Sequence, residues 1–199
     1  MATAAKAEVR APGPTTVEEL LAWPDAPAGE IVDGVWVPRD RDGVTGTSFK
    51  HGLVAGEILW LLSSHARQGR LGKVVAAETG FTLRRRPDLM RCPDVAFIAA
   101  ARLVGGLTDG IFEGAPDLAV EVLSPSNAPT DVRRKIDDYL RHGTRLAWVV
   151  DTAARTVTVQ TRGGLPRVLR GDDVLDGGDV LPGFRVVTSA VFADLDLTA

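Results

Sequence analysis

Residues 115–127 read APDLAVEVLSPSN. The apolar run from Leu118 to Leu123 lies between Pro116 and Pro125, the pattern of a strand buried on both faces. Glu121 stands in the middle of it. An unpaired carboxylate in a core costs several kcal/mol or stays protonated. The reading of this strand therefore turns on what Glu121 is paired with.

Downstream, SPSNAPT breaks the chain with two prolines. Asp131 to His142 then carries Ile136, Tyr139 and Leu140 at helical spacing, with Gly143 as a stop. Arg145–Val150 and Thr156–Thr161 read as strands joined by DTAAR. Upstream, Pro93–Ala100 and Lys73–Leu83 each read as one strand. His51–Gln68 repeats Leu53, Val54, Ile58, Leu61 and Leu62 at a helical period. GEIVDGVWVP is two apolar runs around Asp33-Gly34, a hairpin signal. Thr15–Glu19 starts a short capped helix that stops near Pro24. Asp40–Ser48 and LVGGLTDGIFEG read as loops, the second with a helical turn. From Arg167 the tail holds two or three short strands and a last turn near Ala190–Asp194. The central order is helix, strand, strand, strand, helix, strand. This is an α/β (α+β) fold: a mixed β-sheet flanked by helices, with an N-terminal hairpin and extra C-terminal strands.

The 199 residues are 45% hydrophobic and 25% charged, which suits one domain over 15–199, with residues 1–14 expected to be poorly ordered. A net charge of -3 argues against a surface coated in positive charge but leaves room for a local basic cleft. Cys92 is the only cysteine, which excludes an intrachain disulfide and a thiolate metal cluster and fits a reducing cytoplasm. No stretch reaches the length of a membrane span. Phosphate-cradling glycine loops and nucleophile elbows are also missing.

Asp94 opens one apolar run and Glu121 lies inside another. If those strands are neighbours, the two carboxylates converge, and two carboxylates at one point repel unless a cation lies between them. Mg²⁺ is held by one or two carboxylates with waters and phosphate oxygens. Taken singly, each acid reads as a turn cap or an arginine partner; taken as a pair on apolar strands, the metal reading leads. On spacing alone Lys135 reads as a solvated charge beside Arg133 and Arg134. Arg84–Arg86 with Arg91 either contact phosphates or form a solvated hairpin, and Pro87-Asp88 reads as its turn. Trp148 and Phe97 read as core.

The run CPDVAFIAA, followed by GAPDLAVEVLSPSNAPTDVRRKIDDYLRHGTRLAWVVDTAARTVTV, closely resembles the Uma-two family of restriction endonuclease-like proteins, within the PD-(D/E)XK nuclease superfamily. GEIVDGVWV, the His51 helix and AETGFTL are similar to its N-terminal half, so the resemblance runs from about Gly29 to about Pro182. It implies an α-β-β-β-α-β core and a metal-dependent endonuclease acting on DNA. It implies Asp94 and Glu121 as ligands of Mg²⁺ or Mn²⁺, with the backbone carbonyl of Val122 as a third. Glu78 matches a further acid that joins directly or through water; Glu57 is a weaker match. The superfamily lysine normally sits two residues after the acid, where this chain has Leu123, so the role points to Lys135. His51 opens its helix either as a structural residue or as a substrate contact. A homodimer is also implied, and Val35, Trp36 and Val37 supply apolar surface for it unless the tail strands cover the hairpin. The rival reading is a binding or regulatory protein that keeps the fold without turnover.

Overall fold

A strand with no polar face to offer water has to lie between other elements, and Leu118–Val122 does. The computed structural model describes residues 13–39, 48–77, 79–124 and 128–196. In chain order it contains α1 (Val17–Leu21), β1 (Gly29–Val32), β2 (Val35–Pro38), α2 (Phe49–Gln68), β3 (Gly72–Ala76), β4 (Phe81–Arg84), β5 (Leu89–Arg91), β6 (Val95–Ala99), β7 (Phe112–Glu113), β8 (Leu118–Val122), α3 (Pro129–Arg141), β9 (Leu146–Asp151), β10 (Thr156–Thr161), β11 (Arg167–Arg170), β12 (Val174–Asp176), β13 (Arg185–Val187) and a closing 3-10 segment, Thr188–Asp196. Among the described residues no helix is long and apolar enough to cross a membrane.

The main sheet has the order β11-β10-β9-β8-β6-β3. β8 runs parallel to β9 and antiparallel to β6. The expected core is therefore α2, β3, β6, β8, α3 and β9. β8 is an interior strand, so Glu121 does not lie on a sheet edge; it sits one residue from the strand's C-terminal end.

Residue size alternates along the central strands and sets the layers. Val95, Phe97, Leu118, Val120, Val122 and Trp148 pack with Val54, Ile58 and Leu62 of α2. The opposite face presents Ala96, Ala119 and Ala147 to Ile136 and Tyr139 of α3. Small side chains there leave room for Tyr139, which is fully buried.

The expected single strand Lys73–Leu83 is two strands. β3 ends at Ala76, and β4 joins a second, five-stranded sheet ordered β2-β1-β5-β4-β7. Apolar alternation resumes after Gly80 and hides the break from a periodicity reading; a side chain at Gly80 would press on Ile111 and Met90. β5 is the second arm of the hairpin read around Pro87-Asp88, whose strand bounds the sequence left open. It stitches the N-terminal hairpin to the rest through Ile31 opposite Met90. The hairpin turn has the positive φ at Asp33 (54°) and Gly34 (75°) that a two-residue turn with primed geometry demands. Of residues 1–14, expected to be poorly ordered, 1–12 lie outside the described residues; Pro14 is buried.

The C-terminal segment supplies Leu175, Leu181, Phe184, Val191 and Phe192 to the α2 side of the main sheet. Among the described residues β2 is the edge strand of the second sheet.

Asp88 belongs to a turn, as expected, yet it is buried. It accepts hydrogen bonds from the Val17 backbone N–H at 2.9 Å, from the Arg86 backbone N–H at 3.2 Å and from Arg85 at 2.9 Å. Burial opposes ionisation, but these donors outweigh it and hold the carboxyl below its ordinary value. Asp88→Ala is expected to lower stability at neutral pH by about 2–3 kcal/mol, because it leaves buried donors unmatched. A depressed folded pKa gives stability that is complete above the unfolded value and is lost as pH falls through the folded one. In urea titrations the gap between wild type and Asp88→Ala should therefore close below about pH 3.9.

Candidate active site

The β6–β8 register brings the two acids together. Val95 pairs with Val120, and the Asp94 N–H donates to the Val120 carbonyl at 3.0 Å, so Asp94 stands across from Glu121 one step further on. Opposed residues on antiparallel strands have Cβ atoms only about 4.5–5.5 Å apart. Both acids are buried.

Asp94 closes the end of β8. Its Oδ2 accepts from the Val122 N–H at 2.7 Å and lies 3.2 Å from His51 Nε2. Burial works against its charge, but His51, the Val122 N–H and Lys135 keep its carboxyl below the ordinary range. His51 reaches it from the first turn of α2, where Ser48 caps the helix by accepting from the His51 N–H at 3.2 Å. The other ring nitrogen, Nδ1, is buried without a hydrogen-bond partner among the described residues. His51 thus contacts a site acid.

Glu121 is held from α3. Lys135 Nζ donates to its Oε2 at 2.9 Å and the Tyr139 hydroxyl to its Oε1 at 2.8 Å. Lys135 and Tyr139 are four residues apart and share a helix face. Lys135 is thus not the solvated charge that spacing alone suggested. Its ammonium also lies 3.0 Å from Glu30 Oε1 and donates to the Cys92 carbonyl at 3.2 Å. Burial opposes its charge, but Glu121 and Glu30 outweigh burial and hold Lys135 protonated. For Glu121 the balance is reversed. Burial, with help from the Asp94 and Glu30 charges, exceeds the pull of Lys135, and the carboxyl is pushed up to about 7.

Glu30, at the start of the hairpin, went unread in the sequence. Its Oε1 also accepts from the Cys92 N–H at 2.9 Å, and its Oε2 from Arg91 at 2.8 Å. Burial resists its charge, but Lys135 and Arg91 keep its pKa low. Arg91, read either as a phosphate contact or as part of a solvated hairpin, is buried and engaged by Glu30 and Asp138. Arg85, in the hairpin run, is likewise engaged by Glu18, Asp88 and Glu113.

Glu78 lies outside the described residues. Glu57 has burial and the Asp194 charge as its perturbing influences, both raising its pKa; neither Asp94 nor Glu121 is among them. Among the described residues no three His, Cys, Asp or Glu side chains form a metal-holding group. Two converging carboxylates do match the one or two that Mg²⁺ takes from a protein.

The Uma2 family model, described as "Putative restriction endonuclease", matches residues 17–194. The chain belongs to this family. A solved structure from Anabaena variabilis ATCC 29413, described as "a putative nuclease belonging to DUF820", is similar with a TM-score of 0.76 at 24% identity, over 89% of this chain and 97% of that one. Its likeness carries the fold. No curated protein matches. This Uma2-family chain therefore has a restriction endonuclease-like core with Asp94, Glu121, Val122, Lys135 and His51 brought together at one end of the main sheet. Tyr139 and Glu30 complete the cluster.

Glu30→Gln removes one charge from a buried network and leaves Lys135 and Arg91 undercompensated. Breaking a buried pair from one side costs on the order of 3 kcal/mol. Urea denaturation should show that loss, and Tyr139→Phe a smaller one of about 1–2 kcal/mol.

Proposed function

We propose that the protein is a divalent-metal-dependent endonuclease that hydrolyses DNA phosphodiester bonds. The observation that carries this reading is the opposition of Asp94 and Glu121 across neighbouring strands, with the Lys135 ammonium on Glu121. The family description supports the reaction class.

Asp94, Glu121 and the backbone carbonyl of Val122 would hold Mg²⁺ or Mn²⁺. Once bound, the cation supplies positive charge for the phosphoryl oxygens and makes water a better nucleophile. His51 keeps the Asp94 carboxylate aimed, and Tyr139 does the same for Glu121; such supporting contacts fix ligand orientation. Lys135 carries its charge and its donors to the place where negative charge builds on the phosphate in the transition state. Burial strengthens that interaction. The single buried Cys92 is consistent with a cytoplasmic enzyme.

A second reading, a nucleic-acid-binding or regulatory module without turnover, is favoured by one observation: both Glu121 oxygens already have donors within the chain. Calorimetric titration with Mn²⁺ separates the two. Under the first reading wild type binds Mn²⁺ and cleaves DNA with it, Glu121→Gln does neither, and His51→Ala binds about 10–100-fold more weakly. Absence of Mn²⁺ binding by the folded wild type would sink the metal mechanism.

We also propose a homodimer built on the N-terminal hairpin. Among the described residues β2 is an edge strand, Val35 is 61% exposed, and Trp36 and Val37 are partly buried. An unpaired apolar edge invites a second chain, and a twofold pair suits the pseudo-symmetry of duplex DNA. Sedimentation equilibrium should report twice the 21.1 kDa chain mass; a single-chain mass at every concentration would exclude the dimer.

A further inference from the structure

The outer side of α3 borders an open groove of about 650 Å³ that reaches the hairpin turn. Four arginines line it: Arg84, Arg133, Arg134 and Arg141. Asp33, Asp137 and Asp138 line it too. Asp138 is neutralised from behind by Arg91. That leaves four guanidinium groups facing two carboxylates, on a chain whose net charge is -3.

The arginines differ in what they already hold. Arg84 and Arg134 share Asp33, at 2.5 and 2.8 Å. All three side chains are well exposed, so this pairing is weak and exchanges readily for another anion. Arg133 and Arg141 have no carboxylate partner among the described residues, and both are exposed. They are two helical turns apart, about 12 Å along the axis at ~1.5 Å per residue.

The groove and the acids are two sides of one helix. Arg134 turns to the groove, and Lys135, the next residue, turns to Glu121. A polyanion lying along the groove therefore passes about one helix width, ~10 Å, from the acid pair.

We propose that this groove is a phosphate-binding track that holds a nucleic-acid strand beside the acids, with Arg133 and Arg141 as its principal contacts and Arg84 and Arg134 released from Asp33 to join them. The proposal deepens the nuclease reading by naming the surface that positions the substrate. Guanidinium groups suit phosphate because they offer planar, paired donors. The backbone contact carries no base information, so the track predicts binding without sequence preference.

The test is fluorescence anisotropy of the full chain with labelled single-stranded and duplex DNA, without divalent cation, across a salt series. Arg133→Gln/Arg141→Gln is expected to weaken binding about tenfold at low salt. The slope of log K against log salt should become shallower by about 1.4 on single strands or about 1.8 on duplex, the signature of two lost phosphate contacts. Removing the same charge from exposed sites on the β10–β11 side, with Arg162→Gln/Arg167→Gln, should leave affinity within about twofold. An unchanged affinity and slope in the groove variant overturns the proposal. So does an equal loss in the control variant, or a wild type that does not bind nucleic acid. Mn²⁺-dependent cleavage is measured in parallel: a wild type that binds through the groove but never cleaves defeats the nuclease reading and leaves the track standing.

Discussion

Lys135 is an ammonium held between two carboxylates, Glu121 and Glu30, and the surrounding elements are arranged to keep it there. An isolated buried ammonium would shed its proton or pull the helix outward. Three distant pieces of chain are tied by this one group: the hairpin through Glu30, the central strand through Glu121, and α3 through Lys135 itself. The alanines at 96, 119 and 147 follow from the same constraint. α3 must come close enough for a lysine and a tyrosine to reach one carboxylate, and only small residues on the facing side of the sheet permit that approach.

The balance of charge within the cluster is uneven. Glu30, Asp94, Glu121 and Asp138 are the acids; Lys135 and Arg91 are the permanent cations. The network satisfies Glu30 first, because it alone touches both cations. Asp94 relies on His51 and a backbone N–H. Glu121 is buried with one cation and one hydroxyl, and it is the acid whose pKa burial pushes up to about 7. A site short of positive charge by this margin is what a divalent cation would suit, since an added charge lets both opposed carboxylates ionise. The same imbalance, met instead by a proton on Glu121, describes the module without turnover. The two functional readings are two ways of completing one electrostatic arrangement.

Most of the fold was legible because its periodicities are clean. The runs at Leu118–Val122, Leu146–Asp151 and Thr156–Thr161 have no competing helical pattern, and α2 and α3 carry their apolar residues at helical spacing. Lys73–Leu83 misled because apolar character continues on both sides of a break made by a few residues around Gly80. β5 was signalled only by the turn at Pro87-Asp88, because three residues have no period. In the site, Asp94 and Glu121 stood out as acids in apolar company. Glu30 did not: it opens a hairpin strand, where an acid is ordinary, and its partners lie far off in sequence at Arg91, Cys92 and Lys135. Tyr139 was read correctly as buried, but its hydroxyl needs a partner inside, and that requirement pointed to a polar group on the facing strand.

Arg91 and Arg133 show how burial sorts identical side chains into different work. Sequence alone read Arg91 as a phosphate contact or part of a solvated hairpin, and Arg133 as a helix charge beside Lys135. Arg91 falls on β5, facing inward, where its charge balances Glu30 and Asp138 and no phosphate can approach without displacing them. Arg133 falls on the outer side of α3, with no such obligation. The hydrophobic period of α3 makes that division: once Ile136 and Tyr139 fix the inner face, Lys135 turns toward Glu121 while Arg133, Arg134 and Arg141 face the groove. A single amphipathic helix thereby supplies a lysine to the buried acids and arginines to solvent, and the helix pattern that builds the core also decides which basic residues are free to meet a substrate.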